Sequence, residues 1–228
     1  MIVGSHPDCI AVGEVANVIR AGVKPSWIEN HYPICTCGHC TFWPKVMDAI
    51  NLQNPSKLSD RYRIFLEVFA ERFPGKIAVD SSKTLDALDA LQTCSECSVI
   101  RIVRDVRGWN YSKKGKISPR MMIAWLRSNK ALENAIKDYH PISVGYEPMV
   151  FDTRTTVEKL CKRLSLDFTE EMLEPNVSKQ HILVGNPMRV NKEHRIKYDS
   201  RWMQKPSLWP VLLKPVMDYN EKHAYSYP

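Results

Sequence analysis

The apolar run Val99-Ile100-Arg101-Ile102-Val103 empties directly into Arg104-Asp105-Val106-Arg107-Gly108-Trp109-Asn110-Tyr111-Ser112. The run reads as a buried strand and the stretch behind it as the opening of a helix. At such a junction the first helical N–H groups lack partners and the positive end of the helix favours an anion, so the place suits a phosphate. Arg104 adds a two-pronged charged grip. Ser112, eight positions later, falls two turns further on along the same helix, where its hydroxyl can donate to the same anion. The plainer reading is an exposed arginine paired with Asp105 and a serine on a helix surface.

Lys83 follows a second apolar run, Ile77-Ala78-Val79-Asp80, and so lies just beyond a strand end, where ligands of open α/β sheets collect. A lysine near the start of a helix is electrostatically ill-placed unless an anion joins it, and Ser81 and Ser82 serve most simply as caps of that helix. Arg189, beside the turn Gly185-Asn186-Pro187, is placed to close over a ligand or to lie at the surface. Tyr146 and Glu147, at another strand end, read as structural residues that lock neighbouring loops. His6, His181 and His194 have no recognisable carboxylate partner and read as packing or loop residues.

Of seven cysteines, Cys35, Cys37 and Cys40 cluster ahead of Phe42-Trp43-Pro44. Their short spacing suits zinc, with Cys94 or Cys97 completing a tetrahedral set, although the single residue between Cys35 and Cys37 is tighter than the usual two to four. Reduced thiols, or a disulfide near Trp43, are the alternatives, and no metal is expected in preference to these.

Read together, these segments resemble, in order, the sulfotransferases that use 3′-phosphoadenosine 5′-phosphosulfate (PAPS). The Arg104 to Ser112 spacing after a strand is similar to their 3′-phosphate motif. His6-Pro7-Asp8 with Gly13-Glu14 resembles the segment after the first helix in tyrosylprotein sulfotransferases and bacterial relatives, and Lys76 to Lys83 resembles a strand ending in their lysine. Val144-Gly145-Tyr146-Glu147 is similar to their Tyr-Glu strand end, Gly185 to Arg189 to the cofactor-capping loop of bacterial members, and the cysteine cluster to a substrate-side insertion. The resemblance implies a P-loop-NTPase-like α/β fold, a parallel sheet flanked by helices. Its function would be transfer of a sulfonate from PAPS to a hydroxyl acceptor (glycan, lipid, small alcohol or peptide tyrosine), releasing adenosine 3′,5′-bisphosphate. Glu14 would be the base, although the interval after His6-Pro7 is one residue longer than in the family. Lys83 would steady the bridging oxygen between phosphate and sulfonate, and Arg104, Ser112 and Arg189 would hold the nucleotide.

The family's opening strand and its Arg-Ser-Gly-Thr-Thr loop, whose amides cradle the 5′-phosphosulfate, have no counterpart in these residues. Residues 1–7 look like the tail of the helix that follows that loop. The expectation is therefore a fold without its first strand and phosphate loop, and weak or no transfer by the chain as it stands. A non-catalytic remnant that binds adenosine 3′,5′-bisphosphate or a protein partner is the alternative.

The elements that must hold these residues follow from periodicity. Ile77–Asp80, Val99–Val103 and Ile142–Gly145 read as buried parallel strands. Leu85, Leu88 and Leu91 mark one helix; Met122, Trp125, Leu126, Leu132 and Ile136 a long one; Val157, Leu160 and Leu164 a third. A last helix starts near Pro206 and carries Leu208, Val211, Leu212 and Val216 on its apolar side, kinked or shortened by Pro210 and Pro215. Residues 22–58 read as a Cys/Pro/Trp-rich insertion in a single domain spanning 1–228. With 228 residues, 44% of them hydrophobic and 25% charged, the chain has the composition of an ordinary globule. Its net charge of +7 favours anionic partners without choosing among them. The dispersed basic residues, with only Lys113-Lys114-Gly115-Lys116 in a run, argue against nucleic acid. No membrane span or signal peptide is visible, and a cytoplasmic location is expected.

Overall fold

The computed structural model describes residues 2–21, 35–175, 180–185, 196–204 and 207–228. It is an α/β structure, 58% helical, with small parallel sheets. The chain gathers into two compact units: Met1–Cys97 with Thr169–Arg195, and Ser98–Phe168 with Ile196–Pro228.

In the first unit, β1 (Cys9–Gly13) pairs in parallel with β2 (Ile77–Asp80), Cys9 opposite Ile77 and Ala11 opposite Val79. Helix α1 (Val15–Ala21) follows β1 after one residue. Helices α2 (Phe42–Gln53) and α3 (Leu58–Arg72) precede β2, and α4 (Leu85–Gln92) follows it. Helix α2 buries Phe42, Trp43, Val46 and Ile50, a spacing that gathers them on one side of a 3.6-residue helix. Asn54, in the left-handed conformation with φ 45°, closes it by donating its N–H to the Ile50 carbonyl. Helix α3 answers with Tyr62, Phe65 and Phe69, and edge-on contacts from Phe42 to Phe65 and Phe69 join the two. The described part of the 22–58 stretch is thus built into this unit's core.

In the second unit, β3 (Ile100–Val103) pairs in parallel with β4 (Ile142–Gly145). Helices α5 (Val106–Lys114) and α6 (Pro119–Ile136) connect them. Helices α7 (Tyr146–Phe151) and α8 (Thr153–Leu164) follow β4, and α9 (Trp209–Leu212) and α10 (Lys214–Ala224) end the chain. Val103, Val106, Met122, Trp125, Val216 and Ala224 form one core cluster in it.

The three helices expected from leucine and aromatic spacing are α4, α6 and α8. Two expectations need correction. The strands are parallel but not buried throughout: Ile77 is 49% and Ile102 60% exposed, and each described sheet has only two strands. The single last helix is instead α9 and α10, broken at Leu213, and Leu208, Val211 and Leu212 are exposed while Val216 is buried. Pro215 opens α10 at a position where its missing N–H costs nothing. No described helix is long and apolar enough to cross a membrane.

Candidate functional site

Glu14 is the single residue between β1 and α1, at the C-terminal end of its strand. Its Oε1 accepts from Lys83 Nζ at 2.6 Å and its Oε2 from Asn17 Nδ2 at 2.6 Å. The carboxylate side chain is 16% exposed and the lysine 72%, so Glu14 is held from the protein side while the ammonium faces solvent. Sequence reasoning named both residues separately, and the strand pairing brings them together. Asn17, three residues after Glu14, was missed; that helical spacing was the available signal.

The bend that aims Glu14 requires Gly13. Its φ is +78°, and a Cβ there would sit 2.5 Å from the Val184 carbonyl oxygen. Behind the bend, Asp80 Oδ1 accepts from the Val15 N–H at 3.2 Å and Ser82 Oγ from the Ala16 N–H at 3.0 Å. Ser82 therefore caps α1, across the sheet, instead of α4. Asp80 also takes the Tyr62 hydroxyl at 2.8 Å, and burial raises its carboxyl above the usual range.

The second unit holds Arg104. It leaves β3 and lays its guanidinium 5.0 Å from the Tyr146 ring and against Gly108 on the first turn of α5, with Nη2 3.1 Å from Asp199 Oδ2. Its partner is thus Asp199, ninety-five residues away, and not Asp105; its buried Nε has no hydrogen-bond partner among the described residues. Arg201, then Arg104, holds the Asp199 carboxyl well below the usual carboxylate range. Ser112 is exposed, and its hydroxyl donates to the Trp109 carbonyl at 2.7 Å. It lies one turn beyond Gly108, and so on the helix face that Arg104 overlies. Arg189 and His194 lie outside the described residues.

The start of α5 is not an open anion site, which corrects the first reading of this junction. The Asp105 N–H goes to Glu147 at 3.1–3.2 Å, the Val106 N–H to Asn220 Oδ1 at 2.7 Å and the Arg107 N–H to Asp105 Oδ1 at 2.7 Å. Asp105 is fully buried and also receives Arg107, Asn220 and Tyr225, which hold its carboxyl low against the opposing effect of burial. A negative side chain already occupies the positive helix end. Glu147 is the structural lock that its strand-end position suggests.

Burial pushes the Glu147 carboxyl up to about 7, with the nearby Asp105 charge adding to the effect. In the unfolded chain such a group ionises near about 4.3. The folded state therefore keeps the proton longer; the contribution to stability is complete below about pH 4 and is lost as pH rises through about 7. Glu147→Gln keeps an acceptor for the Asp105 N–H without the charge, and is expected to flatten the fall in melting temperature between about pH 5 and pH 8. Thermal scans showing the same fall in both proteins would refute this.

A third cluster joins Cys35, Cys37, Cys40 and His181, whose ligand atoms all lie within 4.8 Å of one another. Cys94 and Cys97, the sequence candidates for completing such a set, stand outside it: the Cys94 thiol faces the Ala90 and Leu91 carbonyls, and Cys97 accepts from Gln92. The fourth member is His181, which the sequence reading set aside as a packing or loop residue. The Cys35 thiol, followed by His181 and the amides of Trp43 and Phe42, pulls the Cys40 thiol down toward thiolate, while Cys35 is pushed up.

Comparison of the chain with protein-family models, with curated proteins and with solved structures found no match.

Proposed function

We propose that the chain belongs to a P-loop-NTPase-like sulfotransferase fold and serves the transfer of a sulfonate from PAPS to a hydroxyl acceptor. The observation that carries this reading is the Glu14–Lys83 pair, a carboxylate and an ammonium 2.6 Å apart beyond the ends of adjacent parallel strands. Sulfonate transfer needs a base for the acceptor hydroxyl and a cation where charge develops on the leaving phosphate. In the proposed reaction the acceptor oxygen bonds to sulfur, the bond from sulfur to the phosphate oxygen breaks, Glu14 takes the hydroxyl proton and adenosine 3′,5′-bisphosphate leaves. Lys83 has three N–H donors, of which Glu14 uses one, leaving others for the bridging oxygen.

Arg104 and Ser112 are proposed separately as the 3′-phosphate grip. Because the Asp105, Val106 and Arg107 amides are already paired, the grip rests on the guanidinium and the hydroxyl, with a phosphate replacing Asp199 on Arg104. Arg104→Ala is expected to weaken adenosine 3′,5′-bisphosphate by roughly 10- to 150-fold, the worth of a charge-assisted contact, and to leave adenosine 5′-phosphate nearly unchanged. Calorimetry with both ligands tests this; equal losses would remove the assignment. Arg104 and Ser112 are already paired within the fold, which is compatible with one other reading, a fold that binds a protein partner without turnover. That reading predicts no dependence on the 3′-phosphate.

A further inference from the structure

We propose that Cys35, Cys37, Cys40 and His181 bind one zinc ion in a closed structural site that fastens residues 180–185 to β1 next to Glu14. The proposal is independent of the sulfonate-transfer reading. Cys37 Sγ lies 3.6 Å from Cys35 Sγ and 3.5 Å from His181 Nδ1, and Cys40 Sγ lies 3.4 Å from the same nitrogen. Tetrahedral zinc, with Zn–S about 2.3 Å and Zn–N about 2.0–2.1 Å, has sulfur–sulfur edges of about 3.8 Å and sulfur–nitrogen edges of about 3.6 Å. The observed spacings match ligands of one ion and are far longer than the roughly 2.05 Å of a disulfide.

The tight Cys35-x-Cys37 spacing is accommodated by a turn. Gly38 adopts φ +79°, its N–H donates to the Cys35 carbonyl at 2.9 Å and that of His39 to Cys37 at 3.0 Å, so the chain doubles back and delivers Cys40 to the same point. His39 is exposed and outside the set, and His181 is drawn from 141 residues further on. Three thiolates and an imidazole select zinc over magnesium or calcium. Four protein ligands leave no open position, which makes the site structural and not catalytic. Phe42 and Phe73 pack against the His181 ring, with centroids 5.7 and 5.0 Å away, and form an apolar wall beside it.

What the ion would hold is visible in the backbone. The His181 N–H donates to the Ala11 carbonyl at 2.9 Å, and the Glu14 N–H to the Val184 carbonyl at 2.9 Å, so the segment runs along β1 and ends beside Glu14. Thr36 and Trp43 bind the same segment from the cysteine side, through Ile182 and the His181 carbonyl. Zinc takes the three sulfurs as thiolates, so binding displaces whatever protons these cysteines still carry, with no oxidation or reduction.

The test uses the full chain with zinc alone, then cobalt(II) as a spectroscopic substitute. One zinc per chain by elemental analysis, and a tetrahedral cobalt spectrum with thiolate charge-transfer bands, are expected. Cys37→Ser and His181→Ala should each weaken zinc by more than the roughly 10- to 100-fold that loss of an outer-shell partner costs. Cys94→Ser should leave the affinity unchanged, and His181→Cys should keep the ion with an all-sulfur spectrum, which separates ligand loss from misfolding. Chelation should speed hydrogen exchange at the His181 and Glu14 amides. Substoichiometric zinc, a mass two hydrogens short that reports a disulfide among the three cysteines, or equal weakening by Cys94→Ser would each overturn the proposal.

Discussion

Glu14→Gln is expected to lower single-turnover sulfonate transfer from PAPS by roughly 10²–10⁴-fold, the usual contribution of a positioned general base, in any preparation with measurable turnover. The amide is the same size and keeps an oxygen for Asn17 or Lys83, so fold and nucleotide affinity should survive. Lys83→Ala should slow the step as well, but it should additionally weaken PAPS relative to adenosine 3′,5′-bisphosphate, because its proposed partner is the oxygen joining phosphate to sulfur. The two side chains touch, so their effects should not add in the double variant. An unimpaired rate for Glu14→Gln would move the base to another group.

The largest stability effect is expected at Trp43. It is 2% exposed, stacks on Phe65 with centroids 5.8 Å apart, touches Phe42 at 5.1 Å and donates its indole N–H to the His181 carbonyl at 2.6 Å. Trp43→Ala should cost about 3–5 kcal/mol from lost burial and the cavity it leaves. Against a total of about 5–15 kcal/mol this is enough to unfold a marginal protein. Trp43→Phe should recover most of the burial but leave the His181 carbonyl without its donor, and so fall between the two. Urea titrations followed by far-ultraviolet circular dichroism measure this, and an alanine variant within about 1 kcal/mol of the parent would show that the aromatic cluster does not hold the unit together.

Local chemistry explains which parts of the molecule could be read in advance. Leu85, Leu88 and Leu91, or Met122 with Trp125 and Leu126, repeat at helical spacing, and each helix forms where its repeat lies. Three strands announced themselves as apolar runs. Of the four strands among the described residues β1 alone was not expected, although Cys9-Ile10-Ala11-Val12 is such a run; it is short and ends at the Gly13-Glu14 turn. Tyr62, Phe65 and Phe69 likewise mark α3 at helical spacing, hidden beside a stretch whose cysteines and prolines suggested an insertion.

By itself the sequence determined the α/β class, the helices with regular apolar repeats, and the residue types able to do chemistry at strand ends: Glu14, Lys83 and Arg104. Those properties are written over a few neighbouring residues, within the reach of backbone periodicity. Tertiary structure decided the partners. It set Lys83 on Glu14 across 69 residues, gave Arg104 to Asp199 and not to Asp105, filled the start of α5 with Glu147 and Asn220, and brought His181 to three cysteines more than a hundred residues earlier in the chain. Hydrogen bonds and metal geometry act over about 3 Å, whereas the chain separations involved run to more than a hundred residues, so only the folded path could reveal which groups meet.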